Sequence, residues 1–506
     1  MKRFMLLLLV LSLLLSVLVA CGAKNNDSET KAGNEENQSG TNETATETEA
    51  KETRIPSSLP SDLDFSKDPD HTFSVCHWSV TGEVGESWIP WEEVYVSEYT
   101  GDLMDNLVYD RDSAVSERLG VDFETTYLYI SDLNEQVKKM VSGGYDEYDM
   151  MIQRGVQLNK IAFSDYFLNL NELPYIDLQK PWWNQDSLNS LVLGEKYQFA
   201  ASDILVLDKS ATACMYYNAA VAEDNGGVGN MYELAKNKQW TIEEMVKRME
   251  LVATDLDNDG TTNSVGDLVG FWGGDDPIHL LFNGAGHYFM INNPATGYME
   301  YTFGEPDAIS DMVDIFEDVM YNPTYINTSF LSKEQREDDM FEKDMALFAM
   351  TRVKSATLYR SMKSAYGILP IPMFDEYQER YYHEVSPHHD SLLFVPSSVL
   401  NEEMAGAVIE ELSRESYYTV IPNFYDVVIE GKGTRDEQSK EMLKIIFETR
   451  VYDPGLVFDM ADFGTIVLRW TAKGTSDMAH LYEEYEDRID TDLRKMNEKI
   501  DSLNGY

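Results

Sequence analysis

Strand and helix alternate from the first apolar run of the folded part of this chain, and that alternation limits the fold more than any other feature. Residues 73–80 form an apolar run that predicts a strand. Residues 100–119 carry apolar side chains at helical spacing and stop before Gly120. A second strand is predicted over 121–129, a helix over 133–141 closed by Gly143-Gly144, and a short strand over 148–153. This order implies parallel sheets packed with helices, an α/β body. Sites in such bodies lie beyond the carboxyl ends of the strands.

The pattern continues downstream. Thr241 is placed to cap a helix with Glu244 reaching back, the capping-box arrangement. Ile242, Met245, Val246, Met249, Val252 and Ala253 would then share one face. At the far end Ile489, Leu493, Met496, Ile500 and Leu503 recur at helical spacing. Two heptads are too few for a coiled coil, so a terminal helix packed on the body is expected. No internal repeat is found.

The body holds about 445 residues, more than one core usually contains, so two lobes are expected. The formal net charge is −49, with no basic stripe to meet phosphates, which argues against a nucleic-acid partner. The charge serves solubility and says nothing of the ligand's sign. Cys76 and Cys214 both sit in strand-like surroundings. A bridge between them would tie different lobes together, so two free buried thiols are favoured over a disulfide.

The N-terminus is of another kind. Met1-Lys2-Arg3 is followed by an uncharged stretch over residues 4–20, then Leu18-Val19-Ala20-Cys21-Gly22. A basic start, an apolar core and a small residue before the break describe a secretory signal. The ending resembles a bacterial lipobox, which implies that Cys21 becomes the lipidated N-terminus of an exported protein held at the cell membrane on its extracellular face. The alternative is a transmembrane anchor at the lower limit of spanning length. Residues 22–60 are rich in Asn, Glu, Thr, Ser and Gly and predict a disordered tether.

Several segments resemble the extracellular solute-binding proteins of ABC importers, in the carbohydrate-binding family that includes maltose-binding-type proteins. Tyr148-Asp149-Met150-Met151 after Gly144 resembles that family's Gly-x-x-x-Tyr-Asp-apolar segment. Leu170-Asn171-Glu172-Leu173-Pro174 and Lys180-Pro181-Trp182-Trp183-Asn184 resemble clostridial members. So does Arg435-Asp436-Glu437-Gln438-Ser439. Tyr216-Tyr217-Asn218 resembles the Tyr-Asn-Lys-Asp strand, with Ala219-Ala220 in place of Lys-Asp. Trp240-Thr241 stands at the Trp-x-Glu helix start. Phe341–Phe348 resembles Phe-x-x-Gly-x-Ala-apolar, with Asp344 replacing the Gly, so that turn is expected to differ. Tyr366-Gly367-Ile368-Leu369-Pro370 resembles the strand that returns towards the other lobe. The order of these segments carries the likeness, from about 73 to 452. It implies a two-lobed periplasmic-binding-protein-like fold with a hinge and an inter-lobe cleft. The expected parts are a signal over 1–21, a tether over 22–60, an N-terminal lobe over 61–207 and 376–440, and a C-terminal lobe over 208–375 and 441–506. It also implies a monomer that binds a carbohydrate and hands it to permease subunits.

One compact motif has chemistry of its own. Asp255, Asp257 and Asp259 stand at positions 1, 3 and 5 with Gly260 at 6, the start of a Ca²⁺ loop. Thr261, Asn263 and Asp267 complete the candidate ligands. Gly266 occupies position 12, so this is no regulatory EF-hand; it resembles the structural calcium loops of some oligosaccharide-binding members. The alternative is a solvated acidic turn. A sugar site needs flat aromatic faces with short polar groups beside them. Trp78 follows the first strand, and Trp272 lies in Gly270-Phe271-Trp272-Gly273-Gly274. Of the adjacent Trp182 and Trp183 only one can face a cleft. Gln153, Arg154 and Arg352 follow strands and can fix hydroxyls. Core packing and surface ion pairing are the competing roles for all seven.

An enzyme is the main rival. The 89 acidic residues leave a glycosidase pair open. Yet Gly-x-Ser-x-Gly, His-Glu-x-x-His and a Walker loop are missing, and His388-His389 lacks further metal spacing. A structural lipoprotein would show repeats. The reading that results is a binder rather than an enzyme.

Overall fold

The computed structural model describes residues 54–505, apart from 82–90, 275, 337–338, 430–436 and 460–476. Cys21 and the signal lie outside the described residues. The chain from Ile55 on is one compact unit. The stretch expected to stay disordered as far as residue 60 is ordered from Ile55. The Tyr418 hydroxyl takes the Ile55 N–H at 2.7 Å, Ser57 donates to Glu411 at 2.5 Å, and Leu59 enters the core. The few apolar side chains at the end of that polar segment are what anchor it.

Two sheets organise the body. The first has strands β1 (Thr72–Ser79), β2 (Asp122–Tyr129), β3 (Met150–Gln153) and β12 (Leu392–Phe394), in the order β12-β3-β1-β2. β2 and β3 run parallel to β1, while β12 pairs antiparallel with β3, Leu393 opposite Ile152. β1 is buried on both faces from Phe73 onward, as an inner parallel strand must be. β2, at the edge, alternates.

The second sheet has β4 (Ala213–Asn218), β5 (Val269–Gly273), β8 (Tyr325–Asn327), β9 (Ala346–Arg352) and β10 (Tyr366–Leu369), in the order β10-β4-β9-β5-β8. β5, β8 and β9 are parallel. A hairpin of β6 (Met290–Asn292) and β7 (Met299–Tyr301) lies apart. Helix Ile242–Val252 forms as expected, and Thr241 Oγ1 accepts the Glu244 N–H at 3.3 Å. The Glu244 carboxylate turns to Arg248 at 2.5 Å instead of closing a capping box, because an ion pair one turn on competes for it.

The chain passes between the two sheets in three adjacent strips. β11 (His383–Glu384) pairs parallel with β13 (Arg450–Val451), and Thr212 bridges to Val385. The strips are knotted by buried charge. Arg450 meets Asp208 at 2.8 Å, Tyr452 donates to the same carboxylate at 3.1 Å, and Lys209 meets Asp203 at 2.9 Å. Two helices cross the divide. In Glu402–Ile429, Met404–Leu412 pack in the first core, whereas Val420–Val428 pack with Trp272 and Ile368 of the second lobe. In Met478–Asn504, Ile489 joins the second lobe, and Met496, Ile500 and Leu503 join the first. The boundary expected at 440/441 falls beyond the first of these helices; the cores divide the helix itself. Cys76 and Cys214 are buried free thiols in separate sheets. Among the described residues no helix is long and apolar enough to cross a membrane.

Candidate functional site

Parallel strands bring their carboxyl ends together, and here two sets of ends are joined through one strip of chain. On the first lobe these ends are Ser79, Tyr129 and Gln153; on the second, Gly273, Asn327 and Arg352. Residues 385–391 run between them. Val156 N–H donates to Pro387 O at 3.0 Å, Gly155 N–H to Asp390 Oδ1 at 2.7 Å, and Trp78 Nε1 to Ser391 Oγ at 3.1 Å. On the other side Ser386 N–H donates to Ala211 O, and Val353 N–H to Thr212 O at 2.9 Å. A side chain at Gly155 would place its Cβ 2.8 Å from Asp390 Oδ2, so this close approach requires glycine.

A cavity of about 380 Å³ opens at the second lobe's strand ends, lined by Trp272, Asp276, Thr328, Ser329, Asp339 and Tyr359. Burial raises the Asp339 carboxyl above its usual range, against hydrogen bonds from Glu342, Phe341 and the Trp272 side chain. Aromatic faces beside hydroxyls and carboxylates suit a polyhydroxylated ring, whose C–H face is apolar and whose rim is polar.

Charged groups crowd the floor between the lobes. Arg352 ends β9 and meets Asp276 at 2.8 Å and Glu384 at 3.9 Å. Arg154 follows β3, its guanidinium 5.2 Å from the centre of the Trp78 ring. Burial, then the charges of Arg352 and Arg154, lower Lys354 to about 8. Burial pushes Glu384 up to about 7 and Asp390 up to about 8. The Nε atoms of Arg154 and Arg352, Glu384 Oε2 and Asp390 Oδ2 are buried without a hydrogen-bond partner among the described residues.

The structure separates the seven residues singled out for ligand contact. Arg154, Trp272 and Arg352 stand at the cleft. Trp78 is fully buried below Arg154 and braces the hinge strip. Gln153 is fully buried as well. Its amide donates to Ile130 O and Asn134 Oδ1, each at 3.0 Å, and accepts the Arg154 N–H. Trp182 and Trp183 both point inward, and both indoles donate to Glu410 of helix Glu402–Ile429, at 3.1 and 3.0 Å. Neither of the pair offers a face to the cleft, because that carboxylate needs two donors in a dry core. Sequence reasoning missed Lys354, Asp276, Glu384 and Asp390. Lys354 and Asp276 lie just past strand ends, the one signal that marks them.

The acidic loop is a separate place. Asp255, Asp257 and Asp267 bring carboxylate oxygens within 4.8 Å of one another. Asp259 accepts instead from Thr261, N–H at 2.8 Å and Oγ1 at 2.7 Å. Asn263 lies in the same turn, which Asn258 and Gly260 make at positive φ. Asp267 accepts from Leu256 and Ser264 N–H, and these bonds outweigh burial to leave its carboxyl below the usual range. Three charged hard oxygens at this spacing fit a hard divalent cation.

No protein-family model and no curated protein matches the chain in sequence. Solved structures match it in fold. The cyclic α-maltosyl-1,6-maltose binding protein of Arthrobacter globiformis superposes with a TM-score of 0.51 at 12% identity, covering 86% of this chain and 100% of its own. UspC of M. tuberculosis gives 0.52 at 11%, covering 81% and 100%. RafE of Streptococcus pneumoniae gives 0.50 at 13%, covering 85% and 99%. The chain therefore has the two-lobed α/β fold expected from its segment order.

Proposed function

We propose that this chain is a substrate-binding lipoprotein that captures an extracellular carbohydrate, an oligosaccharide, and delivers it to the permease of an ABC importer. The observation that carries the reading is the pair of strand-end edges sharing one hinge strip, with an aromatic and hydroxyl-lined cavity on the second edge. The fold is one that proteins named for binding cyclic maltosyl-maltose or maltodextrin also have, which supports a sugar as the ligand. Binding without turnover fits a cleft whose carboxylates face arginines and backbone N–H groups. Cys21 would carry the lipid, residues 22–54 the tether, and the Asp255–Asp267 loop a structural Ca²⁺ held by Asp255, Asp257 and Asp267.

The mechanism follows from the hinge. A ligand that touches both lobes binds the closed form better than the open one, and only that difference shifts the equilibrium. Trp272 and Arg352 supply contacts from one side and Arg154 from the other. Scattering profiles of the full chain, free and saturated with an oligosaccharide that raises its melting temperature, test this. Compaction on binding, with the sugar recovered intact, is the expected result. Tight binding with an unchanged profile would refute closure, and cleaved product would favour the enzyme.

A further inference from the structure

We propose that the first lobe carries a second carbohydrate-binding site, outside the cleft: a pocket walled by Tyr95 and Tyr109 that takes one neutral pyranose ring. The inference goes beyond the reading of the cleft and does not depend on it.

A cavity of about 230 Å³ opens between helix Leu103–Leu119 and the segment that leads into it. Tyr95 and Ser97 of that segment line it together with Tyr109, Asp112, Ser113 and Ser116 of the helix. Asp122 and Phe123, the first two residues of β2, line it as well. The cleft lies past the other end of that strand, beyond Tyr129. The rest of β2, at about 3.3 Å per residue, sets the two places roughly 20 Å apart.

The segment is built to hold Tyr95 in this position. Thr125 Oγ1 donates to Val94 O at 2.9 Å, which fixes the segment along the edge of β2. Tyr95 has φ of 67°, a left-handed backbone that a bulky side chain enters only when its surroundings impose it. Asp112 imposes it: Oδ2 accepts the Tyr95 N–H at 2.7 Å. Asp112 is 2% exposed and is fixed in turn by Arg111, through Nε at 2.8 Å and Nη2 at 2.6 Å. Arg111 also donates to Glu93 O at 2.8 Å and to Ser416 Oγ at 3.1 Å, so the anchor extends to helix Glu402–Ile429. A buried network thus maintains the strain, yet Tyr95 remains 36% exposed. A ring left in solvent gains little packing for that strain, whereas a ring that covers a ligand does.

The lining sets the class of ligand. Tyr109 is held by Tyr99, with ring centres 4.9 Å apart. The hydroxyls of Tyr95, Ser97, Tyr109 and Ser113 make no hydrogen bond among the described residues. Asp112 offers a further acceptor, since a carboxylate oxygen takes more than one hydrogen bond. Aromatic rings with hydroxyls beside them match a pyranose, apolar on its C–H face and polar at its rim. No Lys or Arg lines the pocket, so a phosphate or uronate would meet the carboxylates of Asp112 and Asp122 and no cation. The volume falls below the ~300–1,000 Å³ of sites for drug-sized ligands, which suits one ring rather than several.

The test is nitration of the full chain by tetranitromethane, read residue by residue by mass spectrometry. It is run with and without the methyl glycosides of glucose, galactose, mannose and N-acetylglucosamine. At least one should slow nitration of Tyr95 and Tyr109 while leaving Tyr377, 81% exposed and outside the pocket, unprotected. Protection is read at the residue, so a sugar held in the cleft neither produces nor hides it. Tyr95→Gly accepts the positive φ without strain and should raise the concentration that half-protects Tyr109 by roughly tenfold. Ser113→Trp, at an exposed helix position, fills the pocket and should abolish protection of Tyr95. An unchanged melting temperature marks a folded variant, and should Tyr95→Gly unfold, Ser113→Trp alone decides. No protection of Tyr95 by any of the four glycosides overturns the site, as does protection that the folded variants leave unchanged. Equal protection by cyclohexanol, a ring without the rim of hydroxyls, overturns the sugar class, and equal protection by glucuronate overturns its neutrality. None of these results bears on the cleft.

Discussion

Asp344 stands where resembling proteins carry glycine, and the turn there was expected to differ. It keeps a glycine-like backbone, with φ of 60°. Aspartate tolerates this region better than most side chains. Its carboxylate accepts from Asn218 Nδ2 and Ser364 Oγ, each at 2.7 Å, tying the turn to β4 and to the approach to β10. Asp344→Ala should therefore cost about 1–3 kcal/mol in urea unfolding, and Asp344→Gly less, because glycine relieves the strain while losing the same bonds. In the acidic loop, a chelator should lower the melting temperature of calcium-loaded protein, as expected for an ion that binds only the folded state. Asp257→Ala should abolish that response. Single residues were the least legible level of the sequence. Trp182 and Trp183 look like sugar platforms in their own segment. What claims them is Glu410, more than 200 positions away, and no local pattern reveals that partner. Trp78 and Gln153 are the last or last-but-one residues of their strands, but both are fully buried, and beside them it is Arg154 that stands at the cleft.

Elements were more legible than residues, since period and punctuation are local. The five elements predicted between residues 73 and 153 are all present, with ends moved by up to three residues. Helix Glu402–Ile429 has no such clear signature. Its first half faces one core and its second half another, so its apolar residues do not keep to a single stripe. Pro422 sits inside it, exposed, within the second packed portion, beside the buried Val420 and Ile421. Proline has no N–H for the carbonyl one turn back. Pro422→Ala restores that bond without removing core contacts, and chemical denaturation should show about 1–3 kcal/mol of added stability. If the proline also serves as a flexure for closure, the same variant would show smaller ligand-induced compaction in scattering.

At the scale of the whole molecule, buried carboxylates set the response to pH. Burial raises Asp149, Glu384 and Glu410 to about 7 and Asp390 to about 8. The folded chain keeps protons that the unfolded chain releases, so stability should rise as pH falls from about 8 towards 6. Below that, His383 opposes the trend. Burial lowers it to about 3, so the unfolded imidazole takes up a proton that the folded one refuses. Melting temperature should pass through a maximum at mildly acidic pH, and Glu410→Gln should flatten the alkaline side. A steady climb to pH 8 would contradict this. The proposed lipid anchor belongs to the same scale: Cys21→Ala should leave the protein unprocessed or release it from membranes, as fractionation would show.

The crossing helices have a further consequence, for the order in which the molecule can be made. β1 is in place within the first eighty residues, yet its lobe is finished by Leu392–Phe394 and by the first half of Glu402–Ile429. Trp78 waits 313 positions for Ser391, and Ile55 waits 363 for Tyr418. A chain emerging from its N-terminus cannot complete the first lobe until Glu402–Ile429 is free, and such distant pairing is slow to form. Until then the early strands remain unfinished and open to a chaperone. When the late segments arrive, the first lobe's sheet gains its last strand and its covering helix.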